Sequence, residues 1–389
     1  SVLSNPRRAR RTRGSSFPDL RSRPRRLDAS GPDSDIVLST RVRLARNLQG
    51  YAFGPRSRVN DRRAVLRRVT RTAARVDLLA EANVHPLADL DPGTRRILLE
   101  RRLISQDLLG ERSETGPQRA AAVVLSTREP VSVMVNEEDH LRLQVLVSGL
   151  ALEAAWSLVD RLDEDLGQEL PYAYDHELGF LTSCPTNVGT GLRASVLIHL
   201  PGLVLTKEIG RVLRGLSQVG LTFRGLYGEG SEVVGNFFQV SNQTTLGKTE
   251  EDLVDHLDRM VRQVIEYERR ERRVLLRDAY QVTEDKIWRA YGLLRYARSI
   301  SFEEMMNLLS GVRLGAALKL LPGLRVYSLN KIMIFAQSAH LEEAAGRKLP
   351  PGECDVHRAT YVRRILATEG VVIPDKEPPQ SGSDAVPDP

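Results

Sequence analysis

Four short segments of this chain carry residues whose types and spacing could do chemistry on a phosphorylated ligand. Thr182-Ser183-Cys184-Pro185-Thr186-Asn187-Val188-Gly189-Thr190-Gly191-Leu192-Arg193 sets one of only two cysteines in a glycine-rich turn that ends in arginine. Gly189 and Gly191 let a backbone approach a ligand closely, as phosphate cradles require. The other three are Ser39-Thr40-Arg41-Val42-Arg43, Asn136-Glu137-Glu138-Asp139-His140-Leu141-Arg142 and Arg224-Gly225-Leu226-Tyr227-Gly228-Glu229. Together they offer five cations, Arg41, Arg43, Arg142, Arg193 and Arg224, next to strand ends or glycine-rich turns. Guanidinium forks meet phosphate oxygens bidentately, which lysine does not. Glu137, Glu138 and Asp139 form one acidic cluster, and Glu229 supplies another carboxylate. This combination suits phosphoryl transfer to a guanidinium, a poor nucleophile with delocalised lone pairs. Carboxylates would hold it in line with a γ-phosphate and accept its proton while the arginines neutralise a triphosphate. Singly, each residue has a plainer reading: a surface arginine, a small buried cysteine, a structural hydrogen-bonding His140. The set carries the argument. No Walker-type loop and no zinc-like Cys/His spacing is present.

The elements that position these groups read as strands alternating with helices. Ile36-Val37-Leu38 opens an extended run into Arg41 and Arg43, and alternation places both arginines on one face. Ala121 to Leu125 and Val131 to Val135 read as two strands across a hairpin-sized connection, the second delivering Asn136 to Asp139. Leu143 to Val159 is apolar at helical spacing, Val196 to Leu200 is a strand candidate feeding a helix near Thr206 to Val219, and Leu221 to Leu226 completes the set. The expected architecture is an α/β domain with a largely antiparallel sheet. At Thr249-Glu250-Glu251-Asp252 a capping box opens a long helix, Ser301-Phe302-Glu303-Glu304 forms a second, and nearly every segment to Ala367 reads as helix. The boundaries follow: a disordered Arg-rich tail over 1–30, an α/β domain over 31–248, an all-α domain over 249–369 and a disordered tail over 370–389.

Composition limits the function classes. The 389 residues are 41% hydrophobic and 27% charged, ordinary usage for a globular chain with room for two cores. The net charge of +6 points to nucleic acid only until it is located. Nine arginines against two aspartates give the first thirty residues +7, which leaves −1 for everything else. That segment reads as a solvated tail, or as sequence upstream of the true start, rather than a nucleic-acid arm. No apolar run reaches the roughly 20 residues of a membrane span, and no secretory signal is evident, so the expectation is a cytoplasmic protein without membrane or direct nucleic-acid partners. Cys184 and Cys354 fall in segments of different character, which argues against a disulfide.

The four segments, in this order and spacing, resemble the ATP:guanidino phosphotransferases, the superfamily of arginine and creatine kinases, over about Gly31 to Ala359. The resemblance implies a guanidino-kinase catalytic domain with a largely antiparallel sheet flanked by helices. It implies ATP and Mg2+, with nucleotide-phosphate contacts from Arg41, Arg43, Arg142, Arg193 and Arg224. Adjacent contacts would come from Ser39, Thr40, Val42, Ala194, Ser195, Val196, Leu197, Gly225, Leu226, Tyr227, Gly228 and Glu229. Glu138 and Glu229 match the carboxylates that clamp the guanidinium, Cys184 the active-site thiolate, and Glu137 the acid that orients magnesium-bound water. No residue is matched as a direct metal ligand.

Within that superfamily the chain is similar to the bacterial McsB-type protein arginine kinases. Phosphagen kinases place a helical domain of about a hundred residues before the Ser-Thr-Arg-Val-Arg segment, whereas this sequence has no room for one and continues into C-terminal helices. Gly311-Val312-Arg313-Leu314-Gly315 and Tyr227-Gly228-Glu229-Gly230-Ser231-Glu232 match runs of that branch. The resemblance implies transfer of the γ-phosphoryl of MgATP to arginine side chains of proteins, a homodimer through the helical domain, a McsA-type zinc-finger activator, a Clp unfoldase acting on marked clients, and stress repressors among those clients. Two segments depart. Glu100-Arg101-Arg102-Leu103-Ile104-Ser105 has Arg102 where the family usually places a nucleotide-contacting histidine, so that contact does not carry over. The family's phosphoarginine pocket, Arg-Asp-x-x-Arg-Ala, becomes Cys354-Asp355-Val356-His357-Arg358-Ala359, a degenerate pocket without its first arginine. Two alternatives stay open at this point: a free-arginine phosphagen kinase, and a non-catalytic phosphoarginine-binding adaptor.

Overall fold

The computed structural model describes residues 29–109, 120–127, 130–225 and 233–372. Nearly all of the Arg-rich N-terminal segment, nearly all of the C-terminal tail, and Leu226, Tyr227, Gly228 and Glu229 lie outside the described residues. Among the described residues there are ten strands: β1 (Val37–Arg46), β2 (Asn83–Pro86), β3 (Ala122–Leu125), β4 (Val131–Val135), β5 (Leu141–Ser148), β6 (Tyr174–Asp175), β7 (Gly179–Phe180), β8 (Leu192–His199), β9 (Leu221–Gly225) and β10 (Phe237–Asn242). The helices are α1 (Val59–Ala73), α2 (Pro92–Glu100), α3 (Gln106–Leu109), α4 (Leu152–Gly167), α5 (Pro201–Leu205), α6 (Ile209–Gln218), α7 (Glu250–Asp278), α8 (Tyr280–Tyr296), α9 (Phe302–Ala317), α10 (Val326–Phe335), α11 (Ser338–Ala345) and α12 (Pro351–Ala367).

Eight strands form one sheet in the order β2-β3-β4-β5-β1-β8-β10-β9. Every pairing in it is antiparallel, as the hairpin connections required. On one face, Val42 and Leu44 of β1 join Leu143 and Val145 of β5, and Ala194, Val196 and Ile198 of β8, in the main core. Side chains of α1, α4 and α7 cover it, including Val65, Val159, Leu162, Leu257 and Val261. Burying this layer supplies most of the driving force, at about 25 cal/mol per Å² of apolar surface.

The register settles what lies on the other face. Arg43 stands opposite Gln144 on β5 and Arg193 on β8, while Ala45 stands opposite Arg142. Leu197 stands opposite Gln239 on β10, which in turn stands opposite Arg224 on β9. Directly opposed residues share a face, and so do residues two apart on a strand. All five arginines therefore project from one side of the sheet. Two apolar patches flank them there. Leu87, Leu98, Ile104 and Leu108 pack on Val123, Leu125 and Met134 at one end. At the other, Leu38, Leu197 and Phe237 pack against Met305, Met306, Leu309 and Ile332 of the C-terminal helices. The arginines form the floor of the cleft between.

Two readings change. Leu143 to Val159 is not one helix: its first part belongs to β5, and α4 starts only at Leu152. β5 is paired on both sides, so Leu146 is apolar on the arginine face while Leu143 and Val145 fill the core. Apolar residues on both faces erase the period of two. The helical run does begin at Thr249, whose Oγ1 accepts from Asp252 N at 3.1 Å, and Ser301 caps α9 in the same way. Yet Leu253, Val254, Leu257, Val261, Val264 and Ile265 of α7 sit in the sheet's core. The separate helical core is built chiefly from α8, α9, α10 and α12.

Candidate active site

A five-residue turn, Asn136 to His140, joins β4 to β5 and presents the first acidic cluster. Asn136 takes a left-handed φ of +56° and is tied down by Nδ2 donating to Arg62 O at 2.9 Å and Ala120 O at 2.8 Å. Asp139 is buried, and its Oδ1 accepts from Asn47 Nδ2 and from Ser183 N, both at 2.7 Å. Ser183 Oγ donates to Glu138 O at 2.9 Å. These bonds stitch the carboxylate turn to the cysteine turn. His140 is structural, as read: Nδ1 accepts from Leu48 N at 3.0 Å and Nε2 meets Ala52 O at 3.3 Å, while burial lowers its pKa.

Glu137 is buried, with Oε1 on Arg142 Nη1 at 2.7 Å and Oε2 accepting from Glu138 N at 3.0 Å. Glu138 behaves differently. Its side chain is 39% exposed and its Oε2 lies 3.3 Å from Arg142 Nη2. Partial burial raises its pKa, with Asp139 and Glu137 adding repulsion against the pull of Arg142. A half-exposed carboxylate with raised basicity is suited to receive a proton. Cys184 is also half-buried, at the start of a short turn over Pro185–Asn187, with Sγ 3.0 Å from Thr186 Oγ1. Both cysteines are free thiols.

Gly189 and Gly191 serve the protein rather than an open cradle. At Gly189, φ is +106° and a Cβ would lie 2.3 Å from Thr245 O; at Gly191, φ is +65° and a Cβ would lie 2.6 Å from Ala45 O. Their freedom packs the cysteine turn against β1 and the segment after β10. Alternation also divides the strand segments named from sequence. Ser39, Arg41, Arg43, Arg193, Ser195 and Leu197 share the cleft face, whereas Thr40, Val42, Ala194 and Val196 lie on the other and are fully buried.

The cleft floor is strongly cationic. The Arg43 pKa falls well below the usual arginine range, to about 9, first through burial and then through repulsion by Arg142 and Arg193; Glu137 opposes this, and Arg102 adds to it. Arg43 Nε has no hydrogen-bond partner. Guanidinium groups so crowded call for a polyanion, and a triphosphate fits that donor set. Arg41 Nη2 reaches Gln239 Oε1 at 3.4 Å, and Arg102 Nη1 reaches the same oxygen at 3.2 Å. Sequence reasoning missed Gln239, which lies on a strand it did not read. It placed Arg102 only as a departure from the family pattern. Asn47 was missed too, and only its asparagine amide between two turns could have signalled it.

The segment read from sequence as a degenerate phosphoarginine pocket lies on α12. Cys354, Arg358 and Ala359 are buried. Arg358 donates from Nε to Ala336 O and from Nη1 to Ile300 O, both at 3.0 Å; Nη1 also pairs with Asp355, and Nη2 lies 3.5 Å from Cys354 Sγ. Its guanidinium is thus engaged within the helical domain.

Comparison with known proteins accords with this geometry. The family described as ATP:guanido phosphotransferase, C-terminal catalytic domain, matches residues 64–271, and the protein-arginine kinase McsB C-terminal domain matches 280–377. The protein-arginine kinase of Moorella thermoacetica is 47% identical over 88% of this chain and 97% of its own length. That of Symbiobacterium thermophilum is 46% identical over 89% and 98%. Among solved structures, a lombricine kinase superposes with a TM-score of 0.55 at 26% identity, covering 62% of this chain and 70% of that one. The duplicated taurocyamine kinase of Schistosoma mansoni gives 0.52 at 28%, covering 60% and 33%. With a sheet floored by arginines, a stitched pair of carboxylate and cysteine turns, and relatives matched over nearly their full length, the chain belongs to the protein-arginine kinases, ATP-dependent enzymes of the ATP:guanido phosphotransferase family.

Proposed function

We propose that the arginine floor binds the triphosphate of ATP and that the Glu138 end of the cleft receives an arginine side chain of a protein substrate. The observation that carries this is the shared face of Arg41, Arg43, Arg142, Arg193 and Arg224, with Glu137 and Glu138 paired to Arg142. A substrate guanidinium nitrogen attacks the γ-phosphorus in line. The N–P bond forms as the bond from γ-phosphorus to the bridging oxygen breaks, and ADP leaves with that electron pair. Glu138, with Glu229 as its counterpart, holds the guanidinium and takes up the proton. The arginines stabilise charge gathering on the phosphoryl oxygens and the leaving group. Mg2+ would arrive with the nucleotide and screen its phosphates, with Glu137 placed to orient bound water; among the described residues no group of three His, Cys, Asp or Glu side chains forms a direct metal site. Cys184, stitched to the Glu138 turn through Ser183, would flank the guanidinium.

The McsB C-terminal match supports further parts of this reading: a McsA-type activator, delivery of marked clients to a Clp unfoldase, and stress repressors among the clients. Exposed Val282, Leu293 and Tyr296 on α8 support a homodimer through the helical domain. Among the described residues no helix is long and apolar enough to cross a membrane, and we place the enzyme in the cytoplasm. The test is incubation with MgATP and either an arginine-rich protein or free arginine, followed by assay of acid-labile phosphate. Label on the protein is expected. Label confined to free arginine would overturn the substrate reading.

A further inference from the structure

Between Arg56 and Arg75 the chain carries eight arginines and one acid, Asp61, a net charge of +7. The first thirty residues hold another +7 and the whole chain +6, so everything else sums to −8. α1 is therefore a cationic ridge in a chain whose remainder is acidic. Its Val65, Val69, Thr72 and Ala73 are buried. Arg56, Arg58, Arg63, Arg67 and Arg71 are exposed, and among the described residues none of these five forms a hydrogen bond or ion pair. Arg68 and Arg75, by contrast, lean on Glu169.

This arrangement works against the helix. Arg58 is the N-cap and Arg62 closes the first turn, at the positive end of the helix dipole. Arg63, Arg67 and Arg71 follow at four-residue spacing, so like charges stack along about 12 Å of one face. An anionic chain lying along that stripe relieves both repulsions. The ridge also begins at the site. Asn136, two residues before Glu138, donates from Nδ2 to Arg62 O at 2.9 Å. Gly54, just ahead of α1, lies against the residue before Cys184: a Cβ on it would stand 3.1 Å from Ser183 Oγ. A protein segment that delivers an arginine to Glu138 has the start of α1 beside it.

Taking the Glu138 end of the cleft as the place where a protein arginine enters, we propose that the exposed arginines of α1 dock an acidic segment flanking that acceptor arginine. An extended chain advances about 3.4 Å per residue, so the stripe spans about four residues and reaches acids about three to seven positions from the acceptor. Basic flanks meet repulsion along the same path. Acceptor choice then depends on the charge of the surrounding sequence and not on the arginine alone. No aromatic side chain lies between Arg56 and Arg75 for a base to stack on, which favours an acidic peptide over a single-stranded nucleic acid.

The experiment measures steady-state phosphorylation, with MgATP, of peptides that carry a single arginine flanked on either side by a run of glutamate, glutamine or lysine. Exposed ion pairs are individually weak, so Arg63, Arg67 and Arg71 together predict a kcat/KM about 5- to 30-fold higher for the glutamate peptide than for the glutamine peptide. The difference should lie in KM and shrink as salt rises. Combining Arg63→Gln, Arg67→Gln and Arg71→Gln should bring the two peptides within about 2-fold, with the glutamine peptide still turned over at the wild-type rate. If that variant does not fold, Arg67→Glu alone carries the test and should shift preference toward the lysine peptide. Equal kcat/KM for the glutamate and glutamine peptides in wild type, or a preference that survives the triple substitution, would overturn the proposal. Binding of a short RNA that the triple substitution abolishes, with peptide preference intact, would assign the ridge to nucleic acid instead. If wild type labels neither peptide nor protein, the reading of the Glu138 end itself fails, and the proposal with it.

Discussion

Replacing Arg43 with methionine should stabilise the nucleotide-free protein and weaken its hold on nucleotide. Arg43 sits in the central strand with its Nε unpartnered and its pKa drawn well below the usual arginine range, to about 9, by burial and by Arg142 and Arg193. The charged state is therefore held at a cost, which water and side-chain adjustment reduce. Methionine fills a similar volume without charge, and exchanges of buried charge for apolar groups of like shape are neutral to stabilising by about 1–4 kcal/mol. An increase of about 1–2 kcal/mol is expected, or a rise of about 2–8 °C in the melting transition. The sign with pH is fixed as well. The folded pKa lies below the unfolded one, so the charged form costs stability at every pH below about 9 and the cost fades as pH rises beyond it. The advantage of methionine should be full at pH 7 and shrink above pH 9. The assay is thermal unfolding of both proteins with and without MgADP, with calorimetric titration of ADP. Wild type should gain more from ADP than the variant, whose affinity should fall about 10- to 150-fold for one lost bidentate pair. A lower melting temperature without ligand, together with unchanged ADP affinity, would refute the reasoning and make Arg43 a structural arginine.

Glu138→Gln should lower kcat by about 100- to 10,000-fold while ADP affinity stays near wild type, since the carboxylate acts on the guanidinium; near-normal turnover would remove it from the reaction. Because burial raises the Glu138 pKa, wild-type activity should fall on acidification before an ordinary glutamate would titrate, and that limb should be missing from the residual rate of Glu138→Gln. Glu229→Gln should match Glu138→Gln in the same kinetics. Arg193→Lys should raise KM for ATP although charge is kept, because an ammonium does not reproduce two parallel hydrogen bonds; unchanged kinetics would place Arg193 outside the site. Free phosphoarginine should neither bind nor stimulate wild type, since Arg358 is engaged by Ala336, Ile300 and Asp355; measurable heat on titration would show that the α12 pocket opens.

What the sequence made legible was local. Alternation alone put Arg41 and Arg43 on one face, and hydroxyls three residues ahead of acids marked the starts of α7 and α9. What it did not make legible was pairing. That Arg142, Arg193 and Arg224 share that face follows from β5, β8, β10 and β9 lying in one order and register, which no window of residues contains. The same limit hid β5 inside an apparent helix, since a strand buried on both faces loses its period, and hid Gln239, which gains meaning only by meeting Arg41 and Arg102. Gly189 and Gly191 looked like ligand-facing glycines because local sequence does not say whether a close approach is to a ligand or to Thr245 and Ala45.

The local and global levels also disagree in the site, where like charges are crowded together. Elsewhere, Arg46 pairs with Asp163 at 2.6 Å and Arg272 with Glu268 at 2.7 Å, while buried Arg313 of α9 has its pKa lowered to about 9 and is held by the neutral oxygens of Asn330 and Ser34. In the cleft, Arg43 is pressed among Arg142, Arg193 and Arg102, with Glu137 the opposing charge acting on it and already bonded to Arg142. A chain shaped for stability alone would replace one of these arginines. Such local inconsistency marks positions held for function. A polyanion resolves it, because each phosphate oxygen turns a repulsion between guanidinium groups into a shared attraction. The same excess of positive charge that weakens the empty protein is then what makes nucleotide binding strong and favours the more highly charged nucleotide.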